Sequence, residues 1–359
     1  MKLFIIDWYI IKKFLGTYVF TIFLFIVVIV VIDYTQKVQS FTDKGAPVKA
    51  IIFDYYFNFI PSFINAFSPL FVFIAVIYFT TKLADNSEII AMFSSGLSFD
   101  RLVKPYMISA SSIAAITFLL NSFIIPPGNV VRLDFENKYT NTPKQFNPAN
   151  FQLEVEQGVY AYFTTYSPYN NTGKGFCLDK FEGKELVSRL TAKTIKWDSV
   201  YHWKVNDYII RNFEGMKETI STGVSMDTIL TITPSDFLIS YGDFEKLTTP
   251  KLKEYIDRQK KRGIGNIQQF EIEYHRRFAI SLASFILTLI GVSLSSRKIK
   301  GGLGLNIGLG LLLSFSYILF MQITSTFAIS GLVSPMIAVW IPNVLFVFIA
   351  AILYKKALR

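Results

Sequence analysis

Three long apolar runs, a long stretch of ordinary polarity and three further apolar runs divide this chain of 359 residues. Phe14–Ile32 follows Lys12 and Lys13 and closes at Asp33, Ile60–Tyr78 ends before Lys82, and Pro105–Ile125 stops at Pro126 and Pro127. After the polar stretch come Phe278–Ser295, Gly304–Ile323 and Met336–Tyr354. A bilayer core takes about 20 mostly apolar residues in helical form, because each backbone polar group must be satisfied within its own segment. The pattern predicts six transmembrane helices in a three-plus-three arrangement.

Between the third and fourth runs the period changes. Phe151, Leu153 and Val155 alternate with Gln152, Glu154 and Glu156, and Tyr201, Trp203 and Val205 alternate with His202, Lys204 and Asn206. A period of two is that of a half-buried strand. Val159–Thr165, Leu186–Trp197, Tyr208–Phe213 and Thr228–Thr233 are further strand candidates, with turns at Asn170–Gly173 and Glu182-Gly183. Short strands bounded by turns predict a small antiparallel sandwich, an all-β jelly-roll-like domain. One helix interrupts it, with Thr249 as N-cap, Pro250 at the first position, apolar Leu252, Tyr255 and Ile256, and Gly263 past its end. The expected organisation is an N-terminal transmembrane half over 1–126, a β domain over 127–270 and a C-terminal transmembrane half over 271–359.

Composition sharpens the class. Hydrophobic residues form 52% of the chain and Phe occurs 35 times, more apolar surface than a soluble core needs. The net charge of +10 alone would suit nucleic acid, but its distribution argues otherwise. Lys2, Lys12 and Lys13, then Lys82, Arg101 and Lys104, then Arg297, Lys298 and Lys300, then Lys355, Lys356 and Arg359 all fall on one side of the predicted spans. The opposite short loop, Ser325–Pro335, has no Lys or Arg. Both termini are therefore expected in the cytoplasm and residues 127–275 outside it. The first apolar run is too long for a signal peptide and lacks a small-residue cleavage site, so it is expected to be retained. Cys177 alone allows no internal disulfide or Cys-based zinc site, and His202 and His275 make no His-rich centre, so no metal is expected.

The segment Asp85–Gly96 carries the most local information. Asp85 and Glu88 have the spacing of a capping box, Gly96 fits a helix stop, and Ile89, Ile90, Met92 and Phe93 would form an apolar face. Such a short helix either lies on lipid or docks into a partner's groove. Leu3–Lys13 reads as an interfacial amphipathic anchor. Gly304 and Gly308, with Gly310 following, suit close helix packing or a gate. Asp33 and Asp54 stand near span ends, and Asn65 and Gln322 are the internal polar groups, better read as interhelical glue than as ligands. The lack of carboxylates at mid-span argues against ion-coupled transport. No GxxxxGK[ST], HExxH or G-x-S-x-G occurs, and Gly302-Leu303-Gly304 follows no strand, so no catalytic residue is assigned.

Several segments, taken in order, resemble the lipopolysaccharide export permease family, the LptF/LptG permeases. Asp7–Leu15 is similar to that family's opening before its first span, and Asn86–Met92 with Ser95-Gly96 looks like its cytoplasmic coupling helix. Trp203–Pro234 and Leu252–Ile256 are similar to the end of its periplasmic domain, and Glu273–Ala279 to its approach to the fourth span. The resemblance covers essentially the whole chain. It implies a permease of an ABC-type exporter at the inner membrane of Gram-negative bacteria, paired with a paralogous permease. A separate cytosolic ATPase dimer would bind ATP and Mg and drive lipopolysaccharide onto a periplasmic jelly-roll bridge, serving outer membrane biogenesis. By the same resemblance Glu88 would pair with a basic residue of the ATPase, Ile89, Ile90, Met92 and Phe93 would supply apolar contact, and Lys37 would be the basic residue near lipid phosphates. A membrane-embedded enzyme of lipid-linked sugar metabolism would need clustered acid, base or metal ligands, which the sequence does not display. A structural envelope tether would tolerate Glu88→Arg.

Overall fold

The computed structural model describes residues 5–140, 149–167, 170–215, 217–234, 243–261, 267–297 and 302–358. Two compact units form: Met1–Asn141 with Lys246–Thr249 and Gln268–Arg359, and Thr142–Glu245 with Pro250–Ile267.

The first unit is helical. α1 (Ile5–Asp43) is one 39-residue helix, so the expected N-terminal anchor is its opening turns rather than a separate element. Those turns have two faces: Asp7, Ile10 and Ile11 are buried, whereas Ile5 and Trp8 are exposed. α2 (Val48–Ala50) leads through a π-helical segment, Ile51–Tyr56, into α3 (Phe57–Ala66). Then follow α4 (Ser68–Asp85), α5 (Glu88–Ser94), α6 (Phe99–Leu119), π-helical Leu120–Ile124 and α7 (Ile125–Tyr139). α9 (Gln268–Ser295), α10 (Gly302–Ile329) and α11 (Pro335–Leu358) complete this unit; α8 (Thr249–Lys261), which precedes them in the chain, belongs from Pro250 on to the second.

Among the described residues, 6 helices are long and apolar enough to cross a membrane, one for each predicted run. Two boundaries differ. Ile60–Tyr78 straddles a break at Phe67 (φ −101°, ψ 9°), and the spanning helix is Ser68–Asp85, with Pro69 in its first turn. Pro126 and Pro127 do not end the third helix, which continues to Tyr139. They occupy the first turn of α7, directly after the π-helical segment whose wider turns relax the ladder that an interior proline would break.

α4 and α9 form the centre of this unit. Val72, Ala75, Val76 and Phe79 of α4 pack with Ile10 and Phe14 of α1 and with Tyr106 of α6. Phe73 and Ile77, on the other side of α4, join α9, α10 and α11. Polar glue is supplied by Asn306, donating to Thr81 at 3.1 Å, and by Asn343, which accepts from Tyr317 at 2.8 Å and donates to the Ala279 carbonyl at 3.0 Å. Gln322 is exposed and joins no such interhelical bond, and Asn65 is buried with its Oδ1 unpartnered.

The second unit contains six antiparallel strands in sequence order: β1 (Ala149–Glu156), β2 (Val159–Ser167), β3 (Thr172–Glu182), β4 (Glu185–Ser199), β5 (His202–Glu214) and β6 (Lys217–Ile229). This inserted antiparallel sheet fits the jelly-roll-like expectation. One face buries Phe163, Tyr166, Phe176, Ile195, Trp203 and Val205. Trp203 donates its indole N–H to the Ile232 carbonyl at 3.0 Å, so the chain after β6 passes beneath the same face. A crease crosses the sheet beside the paired row Thr165–Lys174–Thr194–Asn206–Ser225. Asn150, Gly175 and Asp207, adjoining that row on alternate strands, all have positive φ. On one side of the crease Tyr166, Ile195 and Val205 point inward; on the other Phe163, Phe176, Ala192 and Tyr208 do, so alternation slips by one residue. Gly175 has no substitute there: its φ is +59°, and a Cβ would lie 2.2 Å from the Thr164 hydroxyl. In α8, Leu252 and Ile256 are buried one turn apart, while Lys251 and Lys253 are exposed. Its expected end at Gly263 lies outside the described residues.

Candidate functional site

Of the basic residues that the sequence assigned to one side, Arg101 and Arg297 are tied to neighbouring helix ends of the helical unit. Arg101 at the start of α6 contacts Asp7 of α1 at 2.5 Å, Asp100 bonds the Tyr354 hydroxyl of α11, and Arg297 donates to the Ala357 carbonyl at 3.2 Å. α5 lies at this basic end. Asp85 closes α4, Asn86 caps it, and Ser87 turns the chain with φ +61°. The expected capping box is therefore absent: Ser87 takes the N-cap position of α5, and its left-handed backbone aims no side-chain oxygen at the first turn. The stop is as read. Gly96 (φ +89°) donates to the Phe93 carbonyl at 3.0 Å and Leu97 to that of Met92 at 3.2 Å, the two bonds of a Schellman cap.

The predicted apolar face divides in two. Ile89 is fully buried in the cluster that holds Ile10 and Phe14, and Met92 packs against it. Ile90 and Phe93 are exposed, by 54% and 36%, and line a cleft of about 520 Å³ with Phe99 and Leu358. Glu88, at the head of the helix, accepts from the Tyr9 hydroxyl at 3.2 Å and from the Asn86 amide at 3.2 Å. Among the described residues it has no ion-pair partner. Tyr9 escaped the sequence reading because its hydroxyl contacts a residue 79 positions away, although a lone tyrosine beside basic residues was the available signal.

Lys37 sits at the other end of α1. Its ammonium lies 3.0 Å from Asp33 and 3.2 Å from Glu136, touches the Tyr55 hydroxyl, and stands 4.6 Å from the Tyr55 ring centroid. Tyr55 and Tyr56 also donate to Asp33, at 2.9 and 3.3 Å. Two carboxylates, one cation and two phenols thus tie α1 to the π-helical turn and to α7. Sequence reading found Asp33 and Lys37 but not Tyr55 or Glu136, which lie on other elements. Gly304 and Gly308 face open space, with nothing within 4 Å of a Cβ at either position. Close packing falls instead to Gly310 against Ile77 and to Gly291 against Val76.

In the second unit β1 and β6 are the sheet edges. Thr231 reaches the Val155 carbonyl of β1 at 2.7 Å, whereas β6 carries exposed Ile220, Val224 and Ile229. Cys177 donates to Asp179 at 3.3 Å, and Asp179 is held by Arg189 through two bonds of 2.7 Å. Burial and the neighbouring carboxylate push the thiol up to about 11.

Comparison with known families agrees with this arrangement. Residues 8–356 match the family described as lipopolysaccharide export system permease LptF/LptG. No curated protein matches the chain. Six spanning helices, an antiparallel sheet inserted between the third and fourth, and a match over nearly the full length lead to one conclusion: the chain belongs to the LptF/LptG family of inner-membrane lipopolysaccharide export permeases.

Proposed function

We propose that this chain is one of two permeases in an ABC-type exporter that extracts lipopolysaccharide from the inner membrane and passes it to a periplasmic bridge. In this reading the basic end and both termini face the cytoplasm, and the β unit lies in the periplasm. A separate cytosolic ATPase dimer, carrying ATP and Mg, docks on α5. Glu88 meets one of its cations, and Ile90 and Phe93 enter an apolar groove on its surface. Ile89 and Met92 hold α5 to the spans, so displacement of the docked ATPase passes to α1 and α4. The paralogous permease covers open faces of α1 and α10, where Gly304 and Gly308 permit close approach. Lys37 meets a lipid phosphate by exchanging Asp33 and Glu136 for it. The edge of β6 takes a strand from the bridge protein.

The observation that carries the reading is a short helix at the basic end presenting Glu88, Ile90 and Phe93 outward while Ile89 anchors it. Its test is purification of the tagged chain from native membranes in mild detergent, with co-purifying proteins identified by mass spectrometry. An ABC ATPase and a second six-span permease are expected, with the ATPase lost on Glu88→Arg. A chain recovered alone, or with biosynthetic enzymes, under conditions that preserve other ABC complexes would overturn the proposal.

A further inference from the structure

Resting on the docking reading of α5, we propose that Tyr9 and Asn86 are positioning residues for Glu88, which makes the opening turns of α1 part of the ATPase docking site. Glu88 begins a helix of 7 residues and is only partly buried, so packing alone does not select one of its rotamers. Its two oxygens are shared between two donors: the Tyr9 hydroxyl on Oε2 and the Asn86 amide on Oε1, both at 3.2 Å. Each carboxylate oxygen offers two lone-pair sites, so one on each stays open to an arriving guanidinium or ammonium. A carboxylate oriented before the cation arrives binds it more tightly, because less side-chain freedom is lost on association.

The turn of α1 that carries Tyr9 is anchored on both sides of it in sequence. Asp7, with its side chain 4% exposed, pairs with Arg101 of α6, and fully buried Ile10 shares a cluster with Ile89 of α5. The backbone that carries Tyr9 is thus held against α5 and α6 through two contacts that do not involve Glu88. Tyr9 therefore acts as a brace between the first span and the coupling carboxylate, and Asn86 as a second brace from the turn.

The test uses the full-length chain and the ATPase that co-purifies with it. Their affinity is measured in detergent for the wild type, Glu88→Gln, Tyr9→Phe and the double variant, with Asn86→Ala as an independent second brace variant. Tyr9→Phe keeps the ring and its packing, and an unchanged thermal melt checks this. Tyr9→Phe is expected to weaken binding about three- to ten-fold, the effect of one partly exposed hydrogen bond to a charged group. In the Glu88→Gln background the same change is expected to add almost nothing, since a residue acting through Glu88 has nothing left to position. If Glu88→Gln weakens binding while Tyr9→Phe and Asn86→Ala do not, or their losses persist in full without the Glu88 charge, the positioning role is wrong and docking stands. If Glu88→Gln binds as well as the wild type, the docking reading fails, and this inference with it.

Discussion

Substituting Arg277 by Met puts a deeply buried ion pair of the helical unit to the test. Arg277 is 1% exposed and Glu273 5% exposed, one turn apart on α9. The guanidinium donates to Glu273 at 3.1 Å and to the Thr249 hydroxyl at 3.0 Å, and Arg276 bonds the other carboxylate oxygen. Removing one partner of a buried pair costs about 3–5 kcal/mol, because the remaining charge is left without water or a counter-ion. Arg276 stays in place but is 37% exposed, so it offsets part of the loss, and the expected cost falls near the lower bound of about 3 kcal/mol. Removing both charges in Glu273→Leu/Arg277→Met takes away the uncompensated carboxylate. What remains includes the Thr249 hydroxyl without its partner, about 1 kcal/mol. In detergent melts of the full chain the double variant should therefore unfold close to the wild type and well above the single variant. A single variant that melts with the wild type, or a double variant lower than the single one, would refute the reasoning.

Three further outcomes are expected. Gly291→Ala should destabilise the chain by about 1–3 kcal/mol in the same melts, since its Cβ would stand 2.6 Å from Val76 Cγ1, and stiff valine has little room to yield; Gly304→Ala, with nothing within 4 Å, should melt with the wild type. Cys177 should react slowly with iodoacetamide at pH 8 and speed up only toward pH 11, because the thiol stays protonated until its raised value of about 11 is approached. Arg189 holds the Asp179 carboxyl below its usual range, so their pairing stabilises the fold above the unfolded carboxylate value, about 3.9, and that stabilisation is lost as pH falls through the lower folded value. Arg189→Ala should accordingly cost up to about 1 kcal/mol at pH 7, and the difference should disappear in strong acid.

What could be read from the sequence followed the range of the interactions. Membrane spans depend on unbroken local hydropathy, and all six were legible, with errors only where backbone geometry intervened. Pro126 and Pro127 read as a stop because a proline breaks regular α-helix, but a preceding π-turn changes that rule. The β unit was legible as an inserted antiparallel domain, and only some of its strands were missed, for a more instructive reason. β5 read as two candidates, Tyr201–Val205 and Tyr208–Phe213, because alternation slips at Asp207, where φ is +49°. β3 escaped because its creased segment carries Gly173 and Gly175, and β6, apart from its end in Thr228–Thr233, because its long exposed edge is rich in Ser and Thr. A strand pattern assumes a flat face, and a crease shared by neighbouring strands violates it on all of them together. At α5, Ile89, Ile90, Met92 and Phe93 were found as an apolar set, but one short helix cannot tell which of them faces inward. Only the packing of Ile10 and Phe14 against Ile89 decides that.

α1 is the element whose role depends most on what its two ends do. Of its most apolar window only 6% is buried, against 78% for α4, so its middle turns owe little to their own chain. Val19, Phe20, Phe23, Val27 and Val31 all face outward there. Both ends, in contrast, are fastened by buried charge: Asp7 to Arg101 at the basic end, and Asp33 with Lys37 to Tyr55 and Glu136 at the other. Apolar contacts in lipid are nearly interchangeable with lipid itself, so an uncovered mid-section can exchange neighbours at little cost. Ion pairs out of water are not interchangeable in this way, and losing one is expensive. A helix pinned at its ends and unclaimed in the middle is thus free to trade lipid for another apolar surface along its length. Its N-terminal end, bound through Ile10 to Ile89, must meanwhile follow α5.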